Sequence, residues 1–190
     1  MGGTGNQGAI LQVPALETLG QRIWITGPAA GGKSTLAHAL GRKLDLPVIH
    51  LDQIRFEPGT WTERPAEAFL ADVEAAVGRE AWIIEGNYFS FLGGRLERAT
   101  GIISLSSPRL GNFARYLLRC MRPAHRLGTM AGAGETPNWT MIRWVLRDEP
   151  KRRVRKQGIV SEARGTLVAT KSFSDLRQLY AAWDLGMNQA

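Results

Sequence analysis

The chain has 190 residues, 44% of them hydrophobic, a single cysteine and a formal charge of +7. That length and apolar share suit one domain with one sizeable core, and no apolar run approaches the roughly 20 residues of a membrane span. Cys120 alone excludes an internal disulfide. Because no basic start followed by an apolar run and cleavage site opens the chain, a reducing, cytoplasmic location is expected.

In chain order, the first stretch, "MGGTGNQGA", has no periodicity and no bulky apolar residue. Residues 1–20 are expected to be a flexible lead to one domain over 21–190. Five short apolar runs then read as buried strands: "RIWIT" (22–26), "LPVIHL" (46–51), "AWIIE" (81–85), "GIISL" (101–105) and "TLVAT" (166–170). Between them the period becomes helical. Leu36, Leu40 and Leu44 follow Ser34 at every fourth position, and Pro65 opens a segment whose Phe69, Leu70, Val73 and Val77 share a face before Gly78 closes it. "LGNFARYLLRCM" and the terminal "DLRQLYAAW" are also amphipathic. Strands alternating with helices predict parallel pairing through crossovers, hence a doubly wound α/β sheet of about five strands. The long interval before the last strand, about 109–165, reads as inserted helices forming a lid, with "TPNWTMIRWVLRDE" the clearest. Charge concentrates there. Residues 109–164 hold 13 Lys or Arg against 4 acids, which suits a polyanionic partner or else a solvated helical face.

The turn after the first strand, "GPAAGGKST", fits G-x-x-x-x-G-K-[ST] as Gly27, Gly32, Lys33 and Ser34, with strand before and helix after. Glycines let such a loop curl so that backbone N–H groups face a phosphate. Lys33 supplies a compact charge for the β and γ phosphates, Ser34 a hydroxyl ligand for Mg²⁺, and the following helix directs its positive end at the anion. Gly27, Ala30, Gly31, Gly32, Lys33, Ser34 and Thr35 are the nucleotide-binding candidates. Two neighbouring strands end in acids, "VIHLD" in Asp52 and "WIIEGNY" in Glu85. At the carboxyl ends of an open α/β sheet these would face the same ligand. Asp52 suits orienting or deprotonating an acceptor hydroxyl, because its loop runs on into Arg55, Phe56 and Trp61, and Glu85 suits the metal. Either acid could instead cap a helix or pair with an arginine. Arg119 and Arg122, three apart on a helix, with Arg147, Arg152 and Arg153 returning from the lid, are candidates for the charge that spreads over a transferring phosphoryl group. His50 reads as a hydrogen-bonded core residue and Cys120 as core packing.

"GPAAGGKSTLAHALGRKLDLPVIHLDQIRFEPGTW", "AWIIEGNY", "SLSSPR" and the late basic "EPKRRVRK" resemble the P-loop kinase superfamily of the adenylate kinase type. More narrowly they resemble the bacterial DNA topology modulation (FlaR-like) proteins, over about Arg22 to Trp183. The resemblance implies a P-loop three-layer sandwich with a parallel sheet in the order 2-3-1-4-5, an acceptor-binding segment after strand two and a helical lid after strand four. Two positions depart from it. Where such proteins usually carry a glycine this chain has Ala30, with the glycine moved to Gly31, and Glu85 replaces an aspartate.

The function expected is an ATP- and Mg²⁺-dependent phosphotransferase acting on a small acceptor, with a nucleotide or nucleoside among the candidates. The alternative is a nucleotide-binding regulator that touches DNA through its basic lid. Nucleic acid is not favoured as a partner, because no helix-turn-helix, zinc pattern or regular interleaving of aromatics with arginines occurs. No membrane partner is expected.

Overall fold

The computed structural model describes residues 11–121 and 156–186, apart from the side chain of Arg119. Five short strands, each rich in β-branched or aromatic residues, form the centre of the molecule: β1 (Arg22–Thr26), β2 (Val48–His50), β3 (Trp82–Glu85), β4 (Gly101–Ser104) and β5 (Thr166–Ala169). All pair in parallel, in the order β2-β3-β1-β4-β5. The register sets His50 opposite Glu85, Ile25 opposite Glu85, and Thr26 opposite Ser104. Every strand therefore delivers its C-terminal residue to one edge of the sheet, where the chain turns into loops.

Alternation along the strands feeds two cores. Ile23 and Ile25 face one side, with Leu36 and Leu40 of α1 (Lys33–Leu44) and Leu179 of the C-terminal helix. Trp24, Trp82 and Ile84 face the other, with Phe69, Val73 and Val77 of α3 (Ala66–Gly78). Burial on both faces is why the strands read as continuous apolar runs. Short α2 (Leu51–Arg55) follows β2 directly, so the strand expected over 46–51 is confined to three residues; α4 is a single turn (Arg95–Arg98) before β4. After β4 comes α5 (Arg109–Met121), a helical segment at 156–161, then β5 and α6 (Phe173–Ala182). These two helical pieces are the described ends of the expected lid. Arg122, Arg147, Arg152, Arg153 and the helix expected in "TPNWTMIRWVLRDE" lie outside the described residues.

Within the expected N-terminal lead, Leu16–Leu19 form a 3-10 turn whose two leucines are buried in the first core, and Trp183 Nε1 donates to Pro14 O at 2.9 Å. Cys120 is half-buried. Among the described residues no helix is long and apolar enough to cross a membrane.

Phe69 links α3 to the sheet edge, packing edge-on against Tyr88 and Phe91 with centroids 5.0 and 5.4 Å away. Phe69→Ala is expected to lower stability by about 3–5 kcal/mol, read by urea denaturation, as a large buried aromatic leaves a cavity.

Candidate active site

The loop between β1 and α1 is shaped by a few close contacts. Gly27 has φ 149°, and a Cβ there would fall 2.7 Å from the carbonyl oxygen of Leu105. Pro28 O accepts from Gly31 N at 3.1 Å and from Lys33 Nζ at 3.0 Å, closing the loop on itself. Gly31 is required by space, since its Cβ would lie 2.9 Å from both Pro28 O and Pro28 Cγ. The left-handed non-glycine residue of the loop is Ala30, at φ 56°. The alanine itself therefore carries the conformation that glycine adopts without cost, and the displaced glycine serves a separate steric need. Gly32 caps α1 in the left-handed region, and no side chain caps that helix end. Its first N–H groups are thus available to an anion. All seven residues expected to bind nucleotide, Gly27 and Ala30 to Thr35, lie in this loop and the first turn of α1.

The segment after β3 holds the loop from the side. Asn87 Oδ1 accepts from Thr26 Oγ1 at 2.7 Å and from Gly27 N at 3.1 Å, while Asn87 Nδ2 donates to Gly27 O at 3.0 Å. One amide thus takes both backbone groups of the first loop glycine. Next to it, Tyr88 adopts φ 30° and donates its phenol to Asp52 Oδ1 at 2.7 Å. A tyrosine in this region is strained and persists because its surroundings hold it. Arg95, fully buried, supports the segment from beneath: its guanidinium donates to the carbonyls of Tyr88 and Phe91 at 3.0 Å and lies 4.9 Å from the Trp24 ring. Burial without an acid beside it lowers the pKa of Arg95 to about 9.

Glu85 lies at the centre. The residue is 3% exposed, and its Oε1 accepts from Ser34 Oγ at 2.9 Å and pairs with His50 Nδ1 at 2.9 Å. Burial pushes its pKa up, but the His50 hydrogen bond, the charge of Lys33 and the Ser34 hydroxyl outweigh that and hold it below the usual range. His50 Nε2 meets His38 Nε2 at 3.0 Å, the two rings stacked. Burial, then His50 and Arg42, lower the pKa of His38. Asp52 opens to solvent on one face. Protein crowding on its other sides still pushes its pKa up and the Glu85 charge adds to that, while the Tyr88 hydrogen bond pulls it down. The solvent face tempers the rise.

Several expected residues do other work. Arg55 does not open onto an acceptor: it is buried, bonded to Arg64 O at 2.6 Å and to Glu63, with its guanidinium 5.3 Å from the Phe69 ring. It clamps the hairpin bridged at Phe56 and Glu63. Trp61, 53% exposed, packs on Phe56 at that hairpin. On the other side of the phosphate loop a cleft is lined by Gly27, Pro28, Phe89, Ser107, Arg109 and Lys156. Beyond it the Arg115 guanidinium lies 4.6 Å from the Phe173 ring, in a loop fixed by Ser172 and Asp175 at the start of α6. Arg119 falls within α5. Sequence reasoning did not single out Asn87, Tyr88, His38 or Arg95 for the site. For His38 a signal existed, because it stands four residues after Ser34 and so on the same helix face.

Comparison with known proteins shows the fold. No family model matches the chain, and no curated protein matches it. Among solved structures it is similar to the shikimate kinase from Acinetobacter baumannii in complex with shikimate, at 17% identity and a TM-score of 0.53, over 90% of this chain and 97% of that one. A gluconokinase from Sinorhizobium meliloti (13% identity, 87% and 93% of the two chains, TM-score 0.49) and the shikimate kinase from Aquifex aeolicus (17%, 86% and 96%, TM-score 0.46) are also similar.

Ala30→Gly should raise stability by about 0.5–1 kcal/mol, the relief of a left-handed alanine less the added freedom of the unfolded chain. Gly31→Ala should lower it by about 1–3 kcal/mol through its clash with Pro28. Paired urea titrations check both. The five-stranded parallel sheet in the order 2-3-1-4-5, flanked by helices, is a P-loop NTPase fold, shared with the Acinetobacter shikimate kinase.

Proposed function

We propose that the chain is an ATP- and Mg²⁺-dependent phosphotransferase acting on a small hydroxyl-bearing acceptor. One observation carries the reading: the hydroxyl of the phosphate-loop serine is bonded to a buried carboxylate held in its charged form, and a second acid, Asp52, is fixed on the same edge by the residue three positions further on. The donor set fits a hard divalent ion bound with a nucleotide. Among the described residues no group of three His, Cys, Asp or Glu side chains is arranged to hold a metal ion by itself, so Ser34 and phosphate oxygens would hold the ion, with Glu85 beside them. Mg²⁺ bound there would neutralise charge on the β and γ phosphates.

The chain's own groups take the remaining roles. The uncapped start of α1 and Lys33, which would exchange Pro28 O for phosphate oxygens, bind the nucleotide's anionic end. The Arg115 and Phe173 pair, next to Lys171, suits the base. Asp52 accepts the acceptor's hydroxyl proton as its oxygen bonds to the γ-phosphorus and the bond to ADP breaks. Arg119, Arg122 and Arg152 of the expected lid would gather around the transferring group, and lid closure would exclude water. One solved structure of similar fold is a kinase in complex with shikimate, a small molecule, which supports this class over a DNA-contacting regulator. The narrower kinship with DNA topology modulation proteins rests on the shared motifs alone.

ADP release in ATP and Mg²⁺, measured across a panel of nucleosides, nucleotides, sugars and hydroxy acids, tests the reading. At least one acceptor should raise release above the basal rate, and a panel with none overturns it. With that acceptor, Lys33→Ala and Asp52→Asn should each cut kcat/KM by about 100-fold or more. The rate should rise with pH through an acid limb shifted up from the ordinary aspartate value, because Asp52 must be ionised to take the proton and its pKa is raised. Asp52→Asn should abolish that limb.

A further inference from the structure

His50 stands one residue before α2, on the last position of β2, and His38 on α1, four residues beyond Ser34. Three elements thereby meet through side chains: Ser34 and His38 from α1, His50 from β2 and Glu85 from β3. The bonds have a defined direction. A carboxylate held in its ionised form can only accept, so His50 Nδ1 must carry a hydrogen and Ser34 must donate. At the far side of the ring, His50 Nε2 shares a hydrogen bond with His38 Nε2 at 3.0 Å. Glu85 thereby fixes the hydrogen on the near nitrogen of His50, His38 holds the ring at its far nitrogen, and His50 in turn orients Glu85. Both bonds to the carboxyl fall on Oε1, so they fix the rotation of the group and commit one oxygen to the protein.

From this geometry we infer that His50, backed by His38, is a positioning residue that aims Glu85 at the metal-nucleotide complex on the phosphate loop. The inference rests on the phosphotransferase reading above and adds what keeps its metal-side acid in place. A long carboxylate side chain has one more rotatable bond than aspartate, and a rigid imidazole donor removes that freedom. Outer hydrogen-bond partners of this kind set metal affinity by orienting the groups inside them.

The test is calorimetric titration of the full chain with the non-hydrolysable analogue AMPPNP, once with excess Mg²⁺ and once with EDTA. The unaltered protein should bind more tightly with Mg²⁺. In His50→Ala the strengthening by Mg²⁺ should fall about ten-fold, with the affinity in EDTA changed less than about two-fold. His50→Asn, which keeps an amide N–H where Nδ1 stood, should recover most of the strengthening. His38→Ala should lose part of it, about three-fold, because the His50 ring is then held at one nitrogen only. Thermal melting monitors folding, and if His50→Ala does not fold the other two variants decide. Equal losses with Mg²⁺ and EDTA, no loss at all, or failure of His50→Asn to recover would each overturn the inference. If the unaltered protein gains nothing from Mg²⁺, the phosphotransferase reading falls, and this inference with it.

Discussion

A carboxylate that is almost wholly out of water is the constraint around which this sheet edge is organised. Left alone, a buried charge costs several kcal/mol, and Glu85 would protonate instead. It stays charged because a hydroxyl and a nearby ammonium from α1 and an imidazole from β2 converge on it. Removing any one of them leaves the others around an acid they no longer balance. The strand order makes the convergence achievable: β3 lies between β2 and β1, so the last residue of β3 neighbours both the histidine of one and the loop of the other.

The same segment then acts on both sides of that acid. Asn87 grips the first loop glycine, and Tyr88 holds Asp52, with Arg95 bonded to the backbone below. Two departures from easy backbone geometry fall in this small region, at Ala30 and Tyr88. Strain gathered where groups must face a ligand is what a preorganised site requires, with the cores on both faces of the sheet supplying the stability that tolerates it.

Much of this was legible in the sequence, and the reasons are physical. "RIWIT" coincides with β1 and the run ending in Glu85 with the end of β3, because burial on both faces leaves a continuous apolar signature, whereas the strand read as ending in Asp52 stops at His50 and Asp52 falls in α2. The phosphate loop was legible because its residue types and spacing are dictated by backbone donors and space. Hidden from the sequence was everything that depends on which side chains meet across elements. His50 reads as a core histidine, and it is one, yet its partner is Glu85. Asn87 sits in plain view beside Glu85, but its bond to Gly27 spans 60 positions of chain and follows only from β1 lying next to β3. Arg55 reads as part of the acceptor loop, and it is instead held inward by Glu63 and two aromatic rings, a fate its neighbours in sequence do not announce.

The lysine of the phosphate loop rests on the carbonyl of Pro28. Its charge is thus solvated by the protein itself, and an incoming ligand has to win it away from an uncharged oxygen. A neutral guest offers nothing better, and a singly charged one little, whereas a chain of phosphates replaces one modest bond with several strong ones. On the proposed function, the loop would act as a threshold device: selectivity for polyanions would come from the exchange of partners and would not depend on the shape of the opening.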